Sequence, residues 1–404
     1  MRMIASHPLL NCIPPMSSPQ AQVRIEAIEA LLVDLPTIRP HKLAMTVMHG
    51  QTLVIVRIRC SDGTVGIGET TSIGGLAYGE QSPESAKLAI DRYIAPLLIG
   101  EDASAVQAAM QRVGRQVQGN SHAKCAVETA LLDALGHRLG LPVHALLGGT
   151  AQTSLPVLWT LASGDAARDV DEALSLIEQR RHNVFKLKVG RRPVAEDVAH
   201  VAAIRKGLGD HVKLTIDVNQ AWNEAQAMEG MAAMQALGLM LVEQPIHGRN
   251  RRAMARLSAR FDVPLMADEG FNDAIDAYEI AQLGAADILA LKTAKAGGLY
   301  GVTKAATVGE AAGLGLYGGT MLEGTIGSIA SAHAFAAGPA LYWGTELFGP
   351  LLLKDDVVQQ RPVYRDFALQ LPEGPGLGLA LDLDKLAHYR RDADRVRPVG
   401  ATGL

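Results

Sequence analysis

Beyond Gly148-Gly149 the chain falls into a rhythm that few folds can satisfy. Short apolar or β-branched runs at 157–161, 184–189, 212–218, 240–244, 264–267, 287–292, 315–318 and 341–345 alternate with segments rich in Ala, Glu, Arg and Leu. Runs of four to seven residues suit buried strands, and seven of the gaps are long enough for a helix. Eight strands at intervals of about 25 to 30 residues predict an α/β fold, a TIM-like (β/α)7β barrel. A doubly wound open sheet shares the same local rhythm, so periodicity by itself does not separate the two.

The segment before this rhythm reads differently. From Val23 to Thr71 it is sheet-like: Leu53-Val54-Ile55-Val56-Arg57-Ile58-Arg59 meets the turn Ser61-Asp62-Gly63, and Val65-Gly66-Ile67-Gly68 returns. Helical stretches follow at about 82–98 and 122–139, the second ended by Gly140. The expected organisation is a flexible extension over 1–20, with Met16 an alternative start, and an α+β capping domain over 21–148. The barrel follows over 149–360, then a tail over 361–404 that is rich in Pro and Gly and returns to the cap. A chain of 404 residues has room for a barrel plus a companion domain.

Composition narrows the function classes. Hydrophobic residues are 48% and charged ones 20%, and 38 basic against 42 acidic side chains leave a net charge of −4. That balance gives no footprint for nucleic acid or an anionic membrane. Cys12, Cys60 and Cys125 are scattered and form no CxxC pair, which speaks against disulfides and for a reducing cytoplasm. Neither a signal peptide nor a membrane helix is expected.

Barrel enzymes do their chemistry at the C-terminal ends of the strands. Read there, the chain gives Lys186 and Lys188, then Asp217, Glu243, Asp268, Lys292 and Glu346. From Lys188 to Lys292 each group lies one βα unit, roughly 24 to 29 residues, from the next, so a barrel would bring them round one mouth. Asp217, Glu243 and Asp268 on three successive strands would repel one another without a cation between them. Their all-oxygen donor set favours Mg²⁺ or Mn²⁺, one per subunit, over zinc. The alternative for each acid is an ordinary helix cap or surface ion pair. Lys186 and Lys188, two apart on a strand, share a face, and Phe185, Leu187 and Val189 suit the helix layer, which turns both lysines inward. Such a pair is expected to depress each other's pKa, leaving one able to act as acid or base. The whole constellation suits proton transfer beside a carboxylate, with the enolate charge stabilised by a metal.

Several segments carry a family resemblance. Phe185-Lys186-Leu187-Lys188, Asp217-Val218-Asn219-Gln220, Val242-Glu243-Gln244-Pro245, Met266-Ala267-Asp268-Glu269 and Leu291-Lys292-Thr293-Ala294-Lys295-Ala296-Gly297-Gly298 resemble the motifs of the muconate-lactonizing subgroup of the enolase superfamily. Ser72-Ile73-Gly74-Gly75-Leu76-Ala77-Tyr78-Gly79, Thr160-Leu161-Ala162-Ser163-Gly164-Asp165, Tyr317-Gly318-Gly319-Thr320-Met321-Leu322-Glu323-Gly324 and Gly344-Thr345-Glu346-Leu347-Phe348-Gly349-Pro350 are similar to stretches of muconate cycloisomerases in particular. The resemblance implies lactonisation of a small dicarboxylate, cis,cis-muconate, in aromatic catabolism, at a Mn²⁺-preferring site, by a cytoplasmic homo-octamer. It assigns Lys188 as acid/base, Lys186 as its tuning neighbour, Lys292 to the opposite face and Glu346 as a proton donor. Asp217, Glu243 and Asp268 become metal ligands. Ile73 and Tyr78 belong to a loop closing over substrate, with Asn219 and Phe348 as further substrate contacts. Chloromuconate cycloisomerases share every one of these catalytic residues, and epimerases of the subgroup use the same facing lysines.

Two further patterns in the residues bear on function. Gly313-Leu314-Gly315-Leu316-Tyr317-Gly318 fits GxGxxG, but it straddles an expected strand instead of a strand-to-helix turn, so close barrel packing is its reading. A barrel kept only as a binding or assembly protein would have lost some of the seven ionisable groups, and all are present.

Overall fold

The computed structural model describes residues 22–150 and 152–391. The proposed extension over 1–20 and its Cys12 lie outside the described residues, as does the end of the tail. Cys60 and Cys125 are buried free thiols.

The N-terminal part is a three-stranded antiparallel sheet, β1 (Ile25–Lys42), β2 (Val47–Cys60) and β3 (Val65–Thr71). The β2–β3 hairpin closes at the predicted turn, where Gly63 takes a φ of +85° and Asp62 Oδ1 accepts from the Thr64 N–H at 3.0 Å. One face of this sheet is covered by the helix Ser121–Leu139, which ends at Gly140 with φ +67°. The approach is unusually close. A Cβ on Gly66 or Gly68 would stand 2.0 Å from the carbonyl oxygens of Ala130 and Ala126, so only glycine lets the helix backbone rest on β3. The fully buried Asp133 of that helix accepts from Ile67 N on β3 and from Leu377 N in the tail.

After a short strand β4 (Ser154–Pro156), seven parallel strands follow: β5 (Trp159–Leu161), β6 (Val184–Lys188), β7 (Lys213–Asp217), β8 (Val242–Glu243), β9 (Leu265–Ala267), β10 (Ile288–Leu291) and β11 (Gly315–Gly318). They pair in strict chain order from β5 to β11, and helices fill the connections. This is a curled parallel sheet and not a doubly wound one, since chain order never reverses. Phe185 and Leu187 of β6 are fully buried on the helix side, as the alternation required.

The predicted eighth strand is shorter than expected. Residues 341–345 form no strand; Thr345 alone makes parallel bridges, to Gly318 on one side and to Val157 on the other. Leu158 N–H donates to the Thr345 carbonyl at 2.8 Å and Glu346 N–H to that of Gly318 at 2.8 Å, so this single turn closes the barrel. Tyr342 is 92% exposed and Gly344 sits at φ +82°, a bend that prevents the run from lying along β11. The GxGxxG segment is strand packing: a Cβ on Gly315 would come within 2.5 Å of the Trp343 indole nitrogen.

The tail does two things. Its hairpin, β12 (Tyr364–Arg365) and β13 (Ala368–Gln370), adds to β4. It then crosses to the N-terminal sheet, where the helix Leu383–Tyr389 packs on β1 and Arg391 forks onto Asp34 at 2.6 and 2.7 Å. Among the described residues, no helix is long and apolar enough to cross a membrane.

Candidate active site

Strand register brings the predicted groups together. Lys188 stands opposite Asp217, and Asp217 opposite Glu243, across neighbouring strands. Asp268 and Lys292 follow immediately after β9 and β10, and Glu346 follows the closing residue Thr345. All lie at the C-terminal ends of the strands.

Each acid is matched to a lysine. Lys186 Nζ is 2.5 Å from both Glu243 Oε2 and Glu346 Oε2, beneath the Tyr317 ring at 5.4 Å. Lys188 pairs with Asp217 and donates to Asn219 Oδ1 at 3.3 Å. Lys292 Nζ lies 2.7 Å from Asp268 Oδ1, donates to the Tyr78 hydroxyl at 2.8 Å and sits 4.4 Å from the centre of its ring. Tyr78 O–H in turn donates to Asp268 Oδ1 at 2.8 Å.

Asp217, Glu243 and Asp268 border one small cavity, as neighbours in the sheet, but each turns to the nearest ammonium, the strongest counter-charge within reach. Among the described residues no three Asp, Glu, His or Cys side chains are gathered into a ready-made ion cage.

Electrostatics corrects a second expectation. Burial disfavours the charged form of Lys186, yet Glu243 and Glu346 outweigh it and raise its pKa well above the lysine value, so it is not depressed by Lys188. Burial opposes ionisation of Asp268 too, and Lys292 and Lys295 overcome it, holding the carboxyl well below the usual range. Burial and the Asp217 charge push Glu243 upward.

A small cavity joins these groups. It holds about 20 Å³ of space for the centre of a water, room for one water- or ion-sized occupant. Asp217, Asn219, Glu243, Asp268, Lys188, Lys292 and Glu346 line it, and so do Ile73, Tyr78 and Phe348. Phe348 is fixed edge-on against Trp159, with centroids 5.3 Å apart. Sequence reading missed His41, Leu43 and Met45, which hang into the cavity from the end of β1 and the turn after it. Burial first, then the Lys188 and Arg39 charges, hold His41 at about 3, hence neutral. It also missed Glu269, whose Oε1 accepts from Asn219 Nδ2 at 3.2 Å and whose pKa burial and Asp268 push up to about 8. Lys295, Thr160, Thr320 and Leu322 stood inside the quoted motifs without being singled out.

Residues 27–148 match the mandelate racemase/muconate lactonizing enzyme N-terminal domain, and residues 168–385 match the enolase C-terminal domain-like family. The chain belongs to this family of enolase-superfamily enzymes. Muconate cycloisomerase 1 of Pseudomonas putida is 55% identical over 371 residues, 91% of this chain and 99% of its own length. Chloromuconate cycloisomerase of Pseudomonas sp. strain P51 is 45% identical over 92% of this chain and 100% of its own length. The crystal structure of muconate lactonizing enzyme from Pseudomonas fluorescens complexed with muconolactone superposes with a TM-score of 0.90 at 55% identity, covering 92% of this chain and 100% of that one.

A divalent metal is the group that the motif resemblance implies for this site. The residues here fit such a group by chemistry: the three adjacent donors are all carboxylate oxygen, burial and then the Asp217 charge drive Glu243 away from ionisation, which a cation would relieve, and its Oε2 makes no hydrogen bond despite the nearby ammonium.

Proposed function

We propose that this protein is a muconate cycloisomerase that converts cis,cis-muconate to muconolactone. The observation that carries the reading is the pairing of Lys188 with Asp217, across a capped cavity from Lys292 with Asp268. In the reaction one substrate carboxylate oxygen bonds to a carbon of the diene and an enolate forms at the other end. Lys188 then gives its proton to the enolate carbon and regains one from water, so the muconate dianion takes up one proton overall and leaves as the lactone monoanion, an isomer of the singly protonated substrate. Asp217, Glu243 and Asp268 would hold Mn²⁺ or Mg²⁺, which supplies positive charge to offset that of the enolate.

Lys186 holds Glu243 and Glu346 by its ammonium, tunes Lys188 beside it and contacts a substrate carboxylate. Lys292 covers the opposite face, and Glu346 is the second proton carrier. Ile73, Tyr78, Asn219 and Phe348 face the substrate, and Asn219 also steadies the Lys188 ammonium through its side-chain oxygen. The proposed organisation is a cap over 21–148 and a barrel over 149–360, with a tail over 361–404 joining them. A cytoplasmic homo-octamer completes the proposal and is checked by light scattering.

The decisive assay follows ultraviolet absorbance of cis,cis-muconate with purified protein and Mn²⁺, beside a chelated control and a chloromuconate sample. Metal-dependent loss of the conjugated diene, with lactone identified by NMR, is the expected result. Preference for chloromuconate would move the reading to that branch of the family. No reaction with either would remove lactonisation and leave the epimerase chemistry of the subgroup to be tried with dipeptides.

A further inference from the structure

Two larger cavities flank the inner one, and they differ in charge. The first, about 850 Å³, opens between the N-terminal sheet region and the barrel and shares Tyr78 with the inner cavity. Its arginines are already paired: Arg249 with Glu80 at 3.1 Å, and Arg251 with Asp276 and Glu279. The second, about 380 Å³, lies beyond the ends of β5 and β6 and shares Lys188 with the inner cavity. Lys42 at the end of β1, and Arg191 and Arg192 just after β6, stand on its wall.

These three exposed cations touch only backbone oxygens. Lys42 Nζ donates to Ser163 O at 3.0 Å, Arg192 Nη2 to Gly164 O at 2.6 Å and Arg191 Nη1 to Leu43 O at 3.5 Å. Carbonyls orient the charges without cancelling them, and among the described residues none of the three makes an ion pair. The acids of the same wall, Asp169 and Asp197, are buried: Asp169 accepts from Ser163 N at 3.1 Å and faces His200 Nε2 at 3.6 Å, and Asp197 accepts from Gly190 N at 2.7 Å within electrostatic reach of Arg192, so two acids stand against three rim cations. A concave surface whose exposed rim carries more cations than acids concentrates anions and speeds their arrival, more so for a dianion.

We propose that the 380 Å³ cavity is the inlet by which a small dicarboxylate reaches Lys188, with Lys42, Arg191 and Arg192 as its anion-gathering rim. The inference rests on the proposed function in taking the ligand to be a muconate-like dianion. It assigns these three residues to substrate capture, not to the bond-making step.

The test compares an Arg191→Glu/Arg192→Glu double variant, a change of four charges, with Arg249→Glu, a change of two at the other cavity. The double variant is expected to lose about ten-fold in kcat/KM for muconate at low salt, with kcat within about two-fold and a flattened salt dependence. Arg249→Glu should stay within about two-fold of the unaltered protein. A merely structural defect would instead lower kcat and Tm. Should the double variant misfold by circular dichroism, Arg192→Gln repeats the comparison with a loss of about three-fold expected. Calorimetric titration with adipate, a saturated six-carbon dicarboxylate, separates the two readings. Weaker adipate binding in the double variant, without muconate turnover by the unaltered protein, keeps the inlet and removes the reaction. Unchanged kcat/KM and salt response in the double variant, or an equal loss in Arg249→Glu, overturns the inlet. Absence of both turnover and adipate binding in the unaltered protein overturns both.

Discussion

Lys188 is partly open to solvent, whereas Lys186, two residues earlier on the same face, is sealed between Glu243 and Glu346. The difference decides which lysine can exchange protons: a group that must reload from water needs a path to it, and Lys188 lines a cavity that leads outward. Lys188→Ala is therefore expected to lower turnover of muconate by about 10³-fold or more while the circular dichroism spectrum and metal binding stay as they were. Turnover retained within ten-fold would take it out of the proton-transfer role. Asp217→Asn keeps the shape and removes one charge from the proposed ligand set. Calorimetry should show Mn²⁺ affinity falling by about ten-fold or more, and an unchanged titration would remove Asp217 from that set.

At the scale of elements, the two glycines of β3 govern how the helix Ser121–Leu139 sits. Gly68→Ala would drive a methyl into the Ala126 carbonyl, so the helix must lift from the sheet; a cost of about 1–3 kcal/mol is expected, read as a lower denaturation midpoint. Alanine at Gly63, whose Cβ would meet no neighbour, tests the turn instead of the packing and should cost less, by its positive φ alone.

Strands β5 to β11 were legible because each is a short apolar run, several of them ending in a charge, with room for a helix after it. The eighth run misled because Leu341-Tyr342-Trp343 looks like a strand in composition, while its Tyr342 points to solvent and only Thr345 pairs. Seven of the site residues were legible for the same reason, being strand-end charges in step. His41, Leu43 and Met45 were not, since nothing near them in sequence records that the end of β1 folds over a barrel mouth formed more than a hundred residues later. The lysine–acid pairing was likewise a matter of three-dimensional competition among charges, which spacing does not encode.

For the molecule as a whole, buried histidines set the acid limit. His182 and His333 are both fully enclosed, and burial lowers each to about 4 from 6.5. Above pH 6.5 neither state takes up a proton and stability is unaffected. Between 6.5 and about 4 the unfolded chain binds protons that the fold refuses, so stability falls as pH drops, by about 1.4 kcal/mol per pH unit for each histidine, up to about 3 kcal/mol each. His41 and His122, lowered to about 3 and about 4, act in the same direction. Denaturant midpoints should stay level from pH 7.5 to about 6.5 and decline from there to 4.5, and a profile flat down to 4.5 would contradict this account.

Asp133 gives the fold a timetable. Its two carboxylate oxygens take one N–H from Ile67 and one from Leu377, a residue synthesised 244 positions later. During translation at about 5–20 residues per second, the helix that covers the N-terminal sheet must wait roughly 10 to 50 seconds for its second partner to leave the ribosome. The first part of the chain to appear is thus among the last to be finished, and a nascent chain stalled inside the barrel would leave Asp133 Oδ1 with only His137 Nε2, 3.4 Å away.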